Sequence, residues 1–277
     1  MTAVSIEQER NTALFAWYEP GRRSLPWRGD TDPYRILVSE MMLQQTQAAR
    51  VVPFYRHFVD RFPSIDVLAA APLQAVLDAW SGLGYNSRAL RLREAARMIS
   101  ESGWPTTPDS LSTLPGVGPY TAAAVASFAF GSRVPAVDTN LARILSRWHG
   151  EPLRGAALDA AAALALGDPA ADWNQAMMDL GATTCVSKMP RCDACPVKDW
   201  CSGPASYAPK SSQGRFEGSA RQLRGAIVRS LVRGEAALRD IVQQTGFRTA
   251  QVETALADLM AEQLVSRDSD GLYRISE

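Results

Sequence analysis

The sequence predicts an all-α protein, with a long helical region over residues 1–203 joined to a small winged-helix-like (α+β) module over 223–277. Apolar residues recur at i, i+3, i+4 and i+7 through most of the first two hundred positions, with little of the alternation that marks strands. Glycine and proline interrupt this pattern at turn positions. After a stretch rich in Ser, Gly, Pro and Ala at 204–222, which reads as a linker, three short amphipathic patterns end in two apolar pairs around Asp268-Ser269-Asp270-Gly271, a hairpin signal.

The elements follow in order. Asp32-Pro33 reads as an N-cap and first helical residue of a helix reaching Gln44. Thr46 is placed to cap the next helix, in which Val51, Phe54, Tyr55, Phe58, Val59 and Phe62 form one stripe and Pro53 should bend the first turns. Leu73, Val76, Leu77 and Trp80 continue the pattern after Pro72. Gly82-Leu83-Gly84 breaks it before a helix at about Ser87–Ser102, which Gly103-Trp104-Pro105 ends. Thr107-Pro108 opens a short helix, Leu114-Pro115-Gly116-Val117-Gly118 is a tight turn, and Pro119 starts an alanine-rich helix to Phe130. Asp138 stands as N-cap before Leu141, Ile144, Leu145 and Trp148, and two more helices at roughly 155–166 and 172–181 precede the cysteines.

At 277 residues the chain is about twice the ~150 expected of one domain. With 46% hydrophobic and 21% charged residues it is neither disordered nor a small disulfide-stapled scaffold. The longest apolar run, Thr121–Phe130, is far short of the ~20 residues of a membrane helix, and Met1–Arg10 holds no apolar signal segment, so a cytoplasmic, nucleoid-associated protein without membrane contact is expected. Basic and acidic residues balance at 29 each, so DNA binding would need local geometry rather than a global field.

Four cysteines, Cys185, Cys192, Cys195 and Cys201, lie within seventeen residues as C-x6-C-x2-C-x5-C. Reduced thiols so clustered read as metal ligands, for zinc or for an iron–sulfur cube, and the single short pair favours the cube. Gly116 and Gly118 put backbone N–H groups at a helix start, where a phosphate is favoured; the same glycines also suit a helix corner that needs close packing. Glu40 has Ile36, Leu37 and Leu43 on its helical face, an apolar setting that favours the protonated acid unless an arginine pairs with it. Asp138, at a helix N-terminus, is expected to stay anionic, as a plain cap also would. A proton donor beside a lasting anion is what glycosidic cleavage asks for. Arg23, Trp27, Arg28 and Tyr85 are candidates to stack on or hydrogen-bond a base.

The strings LPWR (25–28), SEMMLQQTQ (39–47), GLGY (82–85), LPGVGPYTA (114–122), VDTN (137–140), NQAMMDLG (174–181) and the cysteine loop resemble the adenine DNA glycosylase (MutY) family of the helix-hairpin-helix superfamily, over about residues 10–203. The resemblance implies a helix-hairpin-helix DNA glycosylase fold, with a six-helix lobe at about 30–137 and a [4Fe-4S] lobe from about 1–29 plus 138–203. Its substrate is double-stranded DNA containing adenine mispaired with 8-oxoguanine or guanine. By motif, Glu40 protonates the flipped adenine, Asp138 stabilises the sugar cation, and Tyr120 and Asn140 support that site. Arg23, Leu25, Trp27, Arg28, Leu43 and Gln175 line the base pocket, Gln45 and Tyr85 probe or wedge the duplex, and Gly116 and Gly118 grip phosphate.

Where the endonuclease III-like branch has a Schiff-base lysine this chain has Tyr120, and no lysine precedes Lys188, so a monofunctional enzyme leaving an abasic site is expected. Longer family members carry a Nudix-like domain that helps recognise 8-oxoguanine. Here the module from Leu223 onward sets seven arginines against eight acids, which suits an accessory role or contact with a repair or replication protein more than base reading. A monomer is expected. The competing readings are a thymine or uracil glycosylase acting opposite guanine and an iron–sulfur winged-helix transcription regulator.

Overall fold

The computed structural model describes residues 5–207 and 215–277; part of the expected linker, 208–214, lies outside the described residues. The helices in the first half are α1 (Ile6–Gly21), α2 (Pro33–Leu43), α3 (Ala48–Arg61), α4 (Ile65–Ala70), α5 (Leu73–Trp80), α6 (Ser87–Ser102), α7 (Pro108–Leu111) and α8 (Pro119–Phe130). They are followed by α9 (Thr139–His149), α10 (Gly155–Ala165), α11 (Ala170–Thr183), α12 (Ala220–Arg233), α13 (Leu238–Thr245), α14 (Thr249–Ala261), β1 (Val265–Arg267) and β2 (Tyr273–Ile275). The chain divides into two compact units.

The first unit comprises Met1–Leu37, Thr106–Thr113 and Val117–Ser212. Its core gathers Leu14 and Tyr18 of α1, Ile144 and Leu145 of α9, and Trp173 and Met177 of α11. Burying such side chains stabilises the fold by roughly 1.5–3 kcal/mol each. The ends of these helices follow local chemistry. Thr107 forms a capping box with Ser110 at α7, proline opens α7 and α8, and Gly131 and Gly150 close α8 and α9 in the left-handed region that glycine tolerates. The first helix, α1, was not anticipated; it starts on a Ser5–Gln8 capping box.

The second unit comprises Val38–Pro105, Leu114–Gly116 and Gln213–Glu277. The α3 stripe buries Val51, Tyr55 and Phe58, and Phe58 meets Trp80 of α5 edge to face at 5.8 Å. Thr46 does not cap α3: the N-cap is Gln47, while the Thr46 hydroxyl donates back to the carbonyl of Gln44. The short α4, capped by Ser64, was not anticipated, because six residues cannot display a helical period.

Within this unit α12, α13 and α14 pack together and β1 pairs antiparallel with β2, Val265 opposite Ile275. Ala236 and Tyr273 exchange backbone bonds of 3.0 and 2.9 Å beside the hairpin. The helix α12 also packs on α5, where Gln74 Nε2 donates to the carbonyl of Val232 at 2.7 Å. Residues 213–277 thus share one unit with 38–105, and the segment at about 30–137 contributes to both units.

Candidate functional site

Glu40 lies near the C-terminal end of α2, 4% exposed, in a run whose neighbours Leu37, Val38, Met41 and Met42 are fully buried. Leu43, the last residue of α2, is half-buried. What ends α2 is Arg88, a residue sequence reasoning passed over. Its Nη1 donates to the carbonyls of Met41, Met42 and Gln44 at 2.7–2.9 Å, and its Nη2 to Thr46 Oγ1 and the Gly84 carbonyl. A guanidinium at a helix C-terminus satisfies open carbonyls and meets the negative end of the dipole. Burial pushes the Arg88 pKa down to about 10, and the ring of Tyr85 lies 5.3 Å from its guanidinium.

Gln45 and Tyr85, the two residues expected to probe the duplex, sit in the chain segments that Arg88 ties together. Both are non-glycine residues in the left-handed region, at φ 56° and 51°. Such backbone costs of order 1–3 kcal/mol and persists where surrounding bonds over-determine it, often at functional sites. Gly116 of the hairpin has φ 76°, and a Cβ there would stand 2.8 Å from both Arg91 Cβ and Met41 Cε, so close packing alone demands glycine. Gly118 differs: at φ −85° it is the N-cap of α8, exposed, and nothing crowds its Cβ position.

In the first unit Asp138 is the N-cap of α9. Its Oδ1 accepts from the amides of Asn140 and Leu141, both at 2.8 Å, and its Oδ2 accepts from Asn140 Nδ2 at 2.7 Å. Asn140 is held from its other side by Arg143 Nη2 at 2.8 Å. Gly181 of α11 makes room for this arrangement, since a Cβ there would lie 2.6 Å from Asn140 Cβ. Asp138 is expected from its helix N-terminus to stay anionic; the three hydrogen bonds and Arg143 favour that anion, while burial outweighs them and pushes the carboxyl above the usual 3.8. Tyr120, in the first turn of α8, is half-buried with its hydroxyl 3.9 Å from Met178 Sδ.

The residues expected to line a base pocket sort into two kinds. Trp27 is buried core at 7% exposure, and Leu25 is half-buried. Arg23 and Arg28 converge on Asp179 of α11, whose side chain is 2% exposed, with contacts of 2.7 and 2.6 Å to its Oδ1. Arg28 Nη1 also donates to Tyr18 Oη and to Gln175 Oε1, and Tyr18 Oη donates to Gln175 at 2.9 Å. Asp179 is the centre of this network and was missed. Its signal was an acid between Met178 and Leu180 on an otherwise buried helix face.

The cysteine loop leaves α11 through the amide of Cys185, which donates to the Leu180 carbonyl at 2.7 Å. Cys185, Cys192, Cys195 and Cys201 all line one cavity of about 290 Å³, with Arg147, Trp148 and Leu180 on its wall. Arg147 donates to Cys185 Sγ at 3.1 Å and to the carbonyls of Val186 and Ser187 at 2.9 and 3.1 Å; Arg143 Nε donates to the Cys185 carbonyl at 2.8 Å. The i, i+4 spacing of Arg143 and Arg147 in α9 was the sequence signal for this clamp. Among the described residues no three His, Cys, Asp or Glu side chains converge as a single ion requires. Four thiols lining one cavity are consistent with an iron–sulfur cluster. Burial pushes the Cys195 thiol up to about 11 and the Cys201 thiol up as well.

Residues 38–162 match the model of the HhH-GPD superfamily base excision DNA repair proteins. The adenine DNA glycosylase of Mycobacterium tuberculosis H37Rv is 41% identical over 285 residues, spanning 96% of this chain and 93% of that protein. That of Mycolicibacterium smegmatis is 40% identical over 95% and 94%. The human adenine DNA glycosylase is 41% identical, over 68% of this chain but 38% of its own length. Among solved structures, a thermostable thymine-DNA glycosylase aligns with TM-score 0.67 at 30% identity, over 71% of this chain and 97% of that one. An endonuclease III–DNA complex aligns at 0.60 with 22% identity, over 72% and 96%, a likeness of fold. With matching motifs in both units and near full-length identity to such enzymes, the chain belongs to the adenine DNA glycosylase family of the helix-hairpin-helix base excision repair superfamily.

Proposed function

We propose that this chain is a monofunctional adenine DNA glycosylase that extrudes adenine mispaired with 8-oxoguanine or guanine, hydrolyses its N-glycosidic bond and leaves an abasic site. The observation that carries this reading is the buried Glu40 carboxyl, inside the segment that matches the base excision repair family. A purine offers a ring nitrogen to protonate, and a water-poor carboxyl is suited to bring the proton. With the base protonated, the C1′–N9 bond breaks, its electron pair leaves with neutral adenine, and positive charge develops on the sugar. Asp138 supplies the fixed anion for that charge. Water adds at C1′ and its proton returns to the Glu40 carboxylate, which restores the acid.

In this reading Arg23, Leu25, Trp27, Arg28, Leu43 and Gln175 contact the base, Tyr120 and Asn140 support the sugar site, and Gln45 and Tyr85 probe the duplex. Gly116 and Gly118 present amides to phosphate. Tyr120 has no amine to form a Schiff base, so the strand stays intact. Activity beside genomic DNA in the cytoplasm, as a monomer, belongs to the same proposal.

Single-turnover base release on duplexes with adenine opposite 8-oxoguanine, adenine opposite guanine, and thymine opposite guanine tests it. Strand scission that appears only after alkali supports a monofunctional adenine enzyme. Release of thymine alone would favour the second reading, which the likeness to the thymine-DNA glycosylase supports.

The pH profile carries a further expectation. Asp138 works as the anion, and its raised pKa means that acidification removes the anion at a higher pH than for an exposed aspartate. The rate on prebound DNA is therefore expected to fall along an acid limb centred above 3.8; a rate still climbing as pH falls to that value contradicts the assignment.

The four cysteines would hold a [4Fe-4S] cluster, which when bound supplies metal–thiolate bonds that staple the 185–201 loop. Protein purified without oxygen is expected to contain iron and acid-labile sulfide in equal amounts, with broad visible absorption that Cys195→Ser abolishes. Bound zinc without sulfide would refute the cluster.

A further inference from the structure

Within the second unit, a cavity of about 570 Å³ opens between α12 and the loops that hold Gln45 and Tyr85. Arg50, Gln45 and Tyr85 lie on one side of it; Phe216, Arg221, Arg224 and Arg229 lie on the other. The charge is one-sided. Four guanidiniums line the cavity against one carboxylate, Glu262, which pairs with Arg224 at 2.6 Å. Asp258 stands a further 3.9 Å from Arg224. This local excess occurs in a chain whose basic and acidic residues balance, and the even charge count of the C-terminal module conceals it because the helix starts at Ala220 and so brings in Arg221.

Two aromatic rings complete the wall. Phe216 is 58% exposed, a large apolar side chain held out to solvent, and Arg221 Nη1 reaches Tyr85 Oη at 3.5 Å. Tyr85 and Gln45 face this space from left-handed backbone that Arg88 fixes. Guanidiniums answer to phosphate, and rings with an amide answer to a heterocyclic base. A volume of this size admits one nucleotide of a strand with water around it.

We propose that this cavity receives a nucleotide of the bound DNA, with Arg221 and Arg229 on its phosphate and Tyr85 and Phe216 against its base. The C-terminal module is then part of the DNA-binding surface rather than a protein-contacting appendage. The inference rests on the glycosylase reading, and its test separates the two.

The full chain is titrated onto a duplex holding a non-cleavable abasic analogue opposite guanine, read by fluorescence anisotropy from low to high salt. For Arg221→Ala/Arg229→Ala the slope of log K against log salt is expected to shrink by about 0.9–1.8, the equivalent of one or two phosphates. Arg229 is exposed, so Arg229→Ala alone shows the effect without risk to folding. Phe216→Ala is expected to weaken binding about tenfold at every salt with its slope unchanged. Arg239→Ala, which removes the same charge from an exposed site on α13, leaves the slope as it was. An unchanged slope in Arg229→Ala, or an equal fall in Arg239→Ala, overturns the proposal while wild-type adenine release stands. Failure of the wild type to bind duplex or release adenine overturns the glycosylase reading instead.

Discussion

Replacing Glu40 by Gln is expected to slow single-turnover adenine release by at least about 10²–10⁴-fold while duplex binding persists. The substitution keeps the volume and shape of the side chain, so the packing of α2 around Val38, Met41 and Met42 has no reason to change. It removes only the transferable proton. An amide can donate a hydrogen bond to the base but cannot protonate it, and adenine then has to leave with its electron pair unneutralised. The measurement is base release on adenine opposite 8-oxoguanine at saturating enzyme, with binding to the abasic analogue in parallel. A variant within tenfold of the wild type would remove Glu40 from the mechanism. Equal loss of binding would make its role structural.

The second large effect is on stability. Asp179→Ala is expected to destabilise the first unit by about 3 kcal/mol, because it strands two guanidiniums around a site from which water is excluded. The lower end of the usual 3–5 kcal/mol applies, since Arg23 remains 31% exposed and recovers water, whereas Arg28 at 12% recovers little. Asp179→Asn, which keeps the volume and one acceptor, should lose less. Thermal unfolding followed by near-UV circular dichroism measures both. A loss below about 1 kcal/mol for the alanine variant would mean that the network adapts and that the arginines do not depend on Asp179. Because Arg23 and Arg28 are assigned to the base, the same substitution should also weaken discrimination among substrates.

The boundaries of α6, α7 and α8 were legible because each begins or ends on a residue whose own chemistry dictates it, such as Thr107, Pro119 and Gly131. Asp138 was legible as a cap for the same reason. Its raised pKa was not, because burial is set by the tertiary fold and not by the cap itself. Arg88 and Asp179 escaped notice because a charged residue on a helix reads as solvent-facing until the tertiary fold brings it partners, carbonyls for Arg88 and arginines for Asp179. The cysteine spacing announced a metal centre, but the arginine clamp of α9 became visible only once the loop folded back on it. The C-terminal elements followed their apolar periods closely. Their charge balance misled, since counting residues along a chain says nothing about which face they share.

The tie of α1 to α10 and α11 bears on how the chain is made. Trp173 Nε1 donates to Asn11 Oδ1, and Asn11 Nδ2 donates to the Ala165 carbonyl, across separations of 162 and 154 residues. A ribosome adding about 5–20 residues per second needs roughly 8–30 s to bridge that gap. During that time the apolar face of α1, Leu14 and Tyr18, has no α11 to cover it. Residues 38–105 can begin to collapse meanwhile on their own contacts, such as α4 with α6 and α3 with α5, although α5 waits for α12. The face of α1 that carries Leu14 and Tyr18 is therefore one a nascent-chain chaperone would be expected to hold.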